Sequence, residues 1–360
     1  MMRRVYTGLK GSVEEGRLKV QKNYILNIEP GGRQMKAIQM SNFGGPEVLK
    51  CTEVDEPIPA TNEVRVRLFA AGVNPNEAYI RTGTYSFYIP ELPYTPGFDG
   101  SGVIDAIGEG VKHLEIGDRV FVAALLAKRN TGTYAQKVVC DANVVHRLPE
   151  SISYQKGASL GIPALTAYRA LFHRAKIKPG ETVLIHGASG GVGLLAVQMA
   201  KGIGATVIGT ASTEEGKSLV KASGATHVLD HITEDSINKI ISLTNDKGPT
   251  IIIEFLANVN LETDLKIIAP YGRIVVVGNR GILEINPRLA MNKEADILGL
   301  ALWNAIPDEY NESLLAVEAF LESGILHPEI GDELTLEDAG KAHEQILSKK
   351  AHGKIVLSID

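Results

Sequence analysis

The 360-residue sequence predicts an α/β protein made of a β-rich part and a doubly wound parallel sheet. Three observations predict it. Between about residues 35 and 150, short alternating runs are broken by Gly and Pro, as in EVRVRLFAAGV, SGVIDAIG, DRVFVAAL and YAQKVVC. From about residue 155, short apolar runs (TVLIHG, TVIGTAS, THVLD, TIIIEFLA, RIVVVGN) alternate with helical patterns, the βαβ rhythm of a sheet buried on both faces. Between one such strand and the helix after it lies a glycine-rich loop, IHGASGGVGL at 185–194.

Taken in chain order, residues 1–34 stand apart. They carry seven Lys or Arg against three Glu and end in a Pro30-Gly31-Gly32 breaker cluster, so they read as a disordered extension. A mitochondrial targeting segment is the other reading, which adjacent Glu14 and Glu15 oppose. Met35 then opens a strand pattern, MKAIQM. The tail after the βαβ series holds helices near 308–323 and 337–349 and a closing strand, KIVLSI, so the chain is expected to leave its first domain and return to it. The late apolar run ILGLALW at 297–303 reads as an edge strand of the parallel sheet or as an ordinary buried one.

Composition narrows the function. A net charge of −5 gives no general attraction for nucleic acid or anionic membranes, and no apolar run is long enough to span a bilayer. Only Cys51 and Cys140 are present, which excludes a disulfide framework or a cysteine-rich zinc site and fits a reducing, cytoplasmic compartment.

The loop carries the chemistry. Ala188-Ser189-Gly190-Gly191-Val192-Gly193 is a variant dinucleotide fingerprint with Ala188 in the first glycine position. Gly190 admits a pyrophosphate to the backbone, Gly193 lets the helix pack on the sheet, and the helix N-terminus supplies N–H groups and a positive dipole end. An NAD site usually ends its second strand in Asp or Glu; here Ala211 and Ser212 stand there, with Lys217 and His231 nearby, which favours NADPH. Glu214 and Glu215 oppose that choice if they face the site.

Residues 97–111, GFDGSGVIDAIGEGV, match the spacing of the medium-chain zinc alcohol dehydrogenase signature. Phe98 occupies the zinc-binding histidine position and Asp99 that of the glutamate, and the loop that would carry a zinc cysteine reads Gly72-Val73-Asn74-Pro75-Asn76-Glu77. No metal site is expected. Without a Lewis acid the acceptor must itself be electrophilic, which points to quinones and conjugated enones rather than simple ketones.

Across residues 35–360 the chain resembles the zeta-crystallin family, the NADPH:quinone oxidoreductases of the zinc-free medium-chain dehydrogenase/reductase branch. FGGPEVLK, GVNPNEAYIRTGTYS, LPYTPG, IPALTAYRAL, HGASGGVGL, GTASTEEG, IIIEFLANVNL, GRIVVVGNRG and EINPR carry the resemblance. It implies a GroES-like catalytic domain from 35–157 and 303–360 and a Rossmann NADPH-binding domain from 158–302. Tyr79 is implied at the nicotinamide, with Asn74 and Tyr85 lining the same pocket. Ser189, Gly190, Gly191 and Val192 are implied at the pyrophosphate and Ser212 and His231 at the 2′-phosphate. Asn260, Val277, Gly278, Asn279 and Arg280 are implied on the nicotinamide side. The implied activity is zinc-independent quinone reduction, with one-electron transfer to a semiquinone or hydride transfer left open, in a homodimer or homotetramer. NADPH-dependent reduction of alkenal or enoyl double bonds is the rival, kept open by basic Lys128 and Arg129, which are expected near the substrate mouth. AU-rich RNA binding or a structural crystallin role is the alternative of another class.

Overall fold

A computed structural model describes residues 33–231, 234–348 and 352–360. Most of the extension read from residues 1–34 therefore lies outside the described residues.

The first half is mostly strand, as its alternation predicts: β1 (Gln34–Gln39), β2 (Lys50–Asp55), β3 (Glu63–Gly72), β4 (Asp99–Ile107), β5 (Arg119–Ala123), β6 (Lys137–Asp141) and β7 (Val145–Arg147). It also holds a helix the sequence reading lacked, α1 (Pro75–Arg81), whose entry is set by Asn74 at the N-cap, Pro75 at the first helical position and Glu77 reaching back to the Asn74 N–H. Helices α2 (Tyr154–Gly157) and α3 (Gly161–Tyr168) follow, and α3 runs on into a π-helical turn at Arg169–Arg174.

The centre alternates β8 (Thr182–Ile185), α4 (Gly191–Gly202), β9 (Thr206–Thr210), α5 (Glu214–Ala222), β10 (His227–Leu229), α6 (Glu234–Leu243), β11 (Ile251–Glu254), α7 (Ala257–Ile267), β12 (Arg273–Val276), α8 (Arg288–Lys293) and β13 (Asp296–Gly299). All its strand pairings are parallel, in the order β10-β9-β8-β11-β12-β13. Strands β8 and β11 bury almost every residue, as expected where helices cover both faces. The order reverses between β8 and β11, and at such a switch point the loops after the two strands diverge and leave a crevice.

The tail returns as α9 (Pro307–Glu322), β14 (Ile330–Thr335), α10 (Ala339–Ser348) and β15 (Lys354–Ser358). Strand β15 pairs antiparallel with β3, and the second large sheet runs β14-β15-β3-β4-β5-β7, with β6 also on β3. Strand β13 is the edge of the parallel sheet, the first of the two readings given for ILGLALW, although the strand ends at Gly299. One buried cluster, from Ile38 in β1 to Ile359 beyond β15, runs through both sheets and α3 and α4.

Candidate active site and cofactor cleft

The glycine loop leaves β8 at the switch point. Thr210, at the end of β9, fixes it: Thr210 Oγ1 accepts the Gly187 N–H at 3.2 Å and its carbonyl accepts the Ala188 N–H at 2.8 Å. Helix α4 starts at Gly191 behind an extended Gly190 that gives no side-chain cap, so its first N–H groups remain for an anion. A β carbon at Gly193 would lie 2.7 Å from the Ala188 Cα and carbonyl oxygen, so only glycine lets the helix approach this closely. These features fit a dinucleotide pyrophosphate over Ser189–Val192.

The last strand brings a second part of the wall. The Gly353 N–H donates to the Ser189 carbonyl at 2.8 Å, and a β carbon at Gly191 would stand 3.4 Å from Lys354 Cδ. Lys354 is buried; its Nζ donates to Asn74 Oδ1 and lies 3.7 Å from Asp99 Oδ2. Asp99 also accepts from Asn74 Nδ2 at 2.9 Å and from the Ile162 N–H at 2.8 Å. Burial pulls the Lys354 ammonium down and pushes the Asp99 carboxyl up, each against the charge of the other. Lys354 carried no signal in the sequence beyond an isolated charge in an apolar strand. Asn74, expected to line the substrate pocket, is instead turned inward: its oxygen is taken by Lys354 and its amide by Asp99 and Glu77, so it holds the wall rather than presenting an amide.

On the adenosine side, Ala211 and Ser212 follow β9, and Thr213 caps α5 by accepting the Gly216 N–H at 3.0 Å. His352 joins this corner, with Nε2 2.6 Å from Thr213 Oγ1 and Nδ1 3.1 Å from Glu215 Oε2. Lys217, expected to offer a cation to a 2′-phosphate, is held between Glu214 at 2.9 Å and Asp230 at 2.8 Å. His231 sits beside it, its ring 3.5 Å from Thr210 Oγ1 and its N–H on Asp230.

On the other side of the switch point, Asn260 Nδ2 donates to Glu254 Oε1 at 3.2 Å, while the Val277 N–H donates to the Glu254 carbonyl at 2.8 Å. A β carbon at Gly278 would overlap the Phe255 carbonyl oxygen, so this turn is pressed directly on the next. Arg280 lies at the surface, its backbone N–H on Asn258 and its guanidinium 3.5 Å from the Leu347 carbonyl. Val277, Gly278 and Asn279 line a cavity of about 610 Å³ with Phe87, Arg169, Arg174 and Asn304. The two arginines come from the π-helical turn, a distortion that turns helical side chains toward a site. Arg169 is fixed by Glu309 at 2.8 Å.

Aromatic rings border this cavity through Phe87. Tyr85 lies 5.6 Å from Phe87, 6.5 Å from Tyr79 with nearly parallel planes, and 6.2 Å from Trp303. Trp303 stacks on Tyr88 at 5.4 Å and meets Phe98 edge-on at 5.6 Å. Burial pushes the Tyr85 phenol above its usual range. At the position where a zinc ligand would stand, Phe98 is thus a buried hydrocarbon ring. The basic segment is corrected as well: Arg129 pairs with the largely buried Glu63 at 2.6 Å, and Lys128 lines a separate cavity of about 410 Å³ with Asn143 and Tyr310. A nearly buried carboxylate needs a cation, and Glu63 takes the arginine expected at the mouth.

Comparison with known proteins agrees with this geometry. Residues 60–150 match the family described as alcohol dehydrogenase GroES-like domain, and residues 191–319 the family described as zinc-binding dehydrogenase. A quinone oxidoreductase of Homo sapiens is 46% identical over 329 residues, covering 91% of this chain and 98% of its own. The structure of an Escherichia coli quinone oxidoreductase complexed with NADPH superposes with a TM-score of 0.79 at 30% identity, over 90% of this chain and all of that one. An NAD-dependent alcohol dehydrogenase gives a TM-score of 0.83 at 31% identity, over 91% of this chain and all of its own. Among the described residues, no helix is long and apolar enough to cross a membrane.

Proposed function

The chain belongs to the medium-chain dehydrogenase/reductase family, in its quinone oxidoreductase group, and from that premise we propose that it reduces quinones with NADPH and without a metal. The carrying observation is the aromatic wall of Tyr79, Tyr85, Tyr88, Phe98 and Trp303, which reaches through Phe87 to an open cavity at the nicotinamide side. A wall of ring faces suits a flat, electron-poor acceptor and offers no ligand at the former zinc position.

NADPH, when bound, supplies the reducing equivalent. The chain's own residues do the rest. The uncapped start of α4, with Ser189, Gly190, Gly191 and Val192, holds the pyrophosphate, and Lys354 adds a buried positive charge beside it. Ser212, Thr213, His231 and His352 surround the 2′-phosphate position, where the second strand carries no acid. Asn260 and Val277 to Asn279 border the nicotinamide side, with Arg280 at its outer rim. Arg169 and Arg174 put positive charge on the acceptor cavity and favour electron arrival there. Tyr85, on the ring wall next to Phe87, is placed to hydrogen-bond an acceptor oxygen, and the finer reading is one-electron transfer, two quinones taking one electron each from one NADPH. Dioxygen uptake during turnover tests that point: its absence refutes it.

Residues 35–157 and 303–360 form the substrate lobe in this reading and 158–302 the nucleotide lobe. A homodimer or homotetramer would pair at the β13 edge, where Ile297 and the preceding Met291 are exposed. AU-rich RNA gains little support: Lys217 and Lys239, beside the open groove at β10, are both ion-paired with carboxylates. The decisive assay follows NADPH oxidation with an ortho-quinone and an alkenal in parallel, with NADH and a chelator as controls. Turnover with the quinone that a chelator leaves intact is expected; turnover with the alkenal alone would move the assignment to double-bond reduction.

A further inference from the structure

His186, Glu254 and Asp264 meet under the cofactor loops, where Glu254 already holds Asn260. His186 is the last residue before Gly187, Glu254 ends β11, and Asp264 faces them from α7. All three are buried, with His186 3% exposed and the two acids wholly enclosed. His186 Nε2 lies 2.8 Å from Asp264 Oδ1 and 3.6 Å from Glu254 Oε2. Glu254 Oε2, Asp264 Oδ2 and His186 Nδ1 are buried without a hydrogen-bond partner.

We propose that this cluster is a clamp that positions the nicotinamide end of NADPH, with Glu254 and His186 as positioning residues. The inference rests on the chain being an NADPH-dependent reductase. Glu254 is the joint. Its Oε1 accepts the Leu256 N–H and Asn260 Nδ2, and its carbonyl accepts the N–H groups of Val277 and, at 3.3 Å, Gly278. One residue therefore holds both turns that border the nicotinamide, and His186 ties that residue to the start of the pyrophosphate loop. Two buried acids and one buried imidazole this close keep their places by sharing protons. In agreement, burial raises Glu254 to about 7 against the charge of His186, while for His186 burial pulls down and Asp264 and Glu254 together raise it. These contacts lie on the loops after β8, β11 and β12, away from Ser212 and Thr213 after β9, where the adenosine would lie.

The test compares binding of NADPH with binding of its fragment 2′-phospho-ADP-ribose, which lacks the nicotinamide, by titration calorimetry. Glu254→Ala should weaken NADPH about tenfold and leave the fragment within about twofold, since a tenfold loss is about 1.4 kcal/mol and one hydrogen-bonded joint has been removed. Glu254→Gln, which keeps an acceptor oxygen for Leu256 and Asn260, should recover most of that loss. His186→Gln should show the same selectivity at smaller size, and stands in if the alanine variant does not fold. Equal weakening of both ligands, or unchanged NADPH affinity, overturns the clamp. So does a stoichiometric metal in the purified protein whose removal abolishes NADPH binding. If the wild type binds NADPH but reduces no quinone, the functional reading fails while the clamp is still scored by binding.

Discussion

Replacing Glu77 with glutamine should flatten the pH dependence of folding stability. The Glu77 carboxyl is buried behind the cofactor wall, where Oε2 accepts the Asn74 N–H at 2.8 Å and the Tyr134 hydroxyl at 2.7 Å, and Oε1 faces the Phe98 N–H at 3.3 Å. Burial first, then the charge of Asp99, push it up to about 7, with Tyr134, Lys354 and the Asn74 N–H pulling the other way. In the unfolded chain it titrates near the ordinary glutamate value of about 4.3. A folded value above the unfolded one means that the native state binds this proton more tightly. Its contribution is therefore fully present below about pH 4, falls as pH rises towards about 7, and is gone above that. At about 1.4 kcal/mol per unit, wild type should lose about 2–3 kcal/mol between about pH 5 and pH 8 that Glu77→Gln does not lose. Tyr134 OH also lies 3.2 Å from His343 Nε2, and that imidazole, lowered to about 3 by burial and then by Arg81, stays neutral throughout the range. The assay is urea unfolding of both proteins at the two pH values. The glutamine turns an amide toward the Asn74 N–H and costs a constant amount, so the change with pH carries the information rather than the level. Parallel profiles, or a wild type that gains on the variant as pH rises, would show that the carboxylate stays ionised, held by Lys354, and would refute the argument.

Three further outcomes follow from the cleft. Gly193→Ala should cost about 1–3 kcal/mol of stability by overpacking against the Ala188 backbone and should weaken NADPH markedly, measured by thermal melts with and without cofactor. Ser212→Asp should weaken NADPH roughly tenfold to a hundredfold by repelling the 2′-phosphate while leaving NADH unharmed; equal effects on both cofactors would remove Ser212 from that corner. Tyr79→Phe should hold turnover within about twofold, whereas Tyr79→Ala should lower it more than about tenfold, if the ring rather than the hydroxyl matters. A large loss in the phenylalanine variant would assign Tyr79 a proton or hydrogen-bonding role.

The parallel sheet was legible because its strands are short apolar runs in a regular rhythm, and the glycine loop because its spacing reports a backbone requirement. Helix α1 has its own local signal: Asn74-Pro75-Asn76-Glu77 carries the N-cap, proline and returning glutamate of a helix start. Strand β14, IGDELT, alternates half-buried and exposed residues with none fully buried, and takes its structure from parallel pairing with β15, a partner that local pattern does not reveal. The same limit hid Lys354, His186 and Asp264. Each is a single polar residue whose partner lies far along the chain, and only packing brings Lys354 to Asp99 and His186 to Asp264. Lys217 shows the converse: a lysine in the right place was readable, but not the two carboxylates that hold it.

The contact between Gly353 and Ser189 also orders events in time. Every strand of the parallel sheet is synthesised by Gly299, so the nucleotide crevice can take shape while the chain is still being made. Gly353 and Lys354 follow only after α9, β14 and α10, and until they do, the Ser189 carbonyl lacks the Gly353 N–H and Asp99 lacks its buried cation. A chain stopped before Gly353 would keep its parallel sheet and lose the closing wall, so reaching β15 marks the birth of a competent molecule.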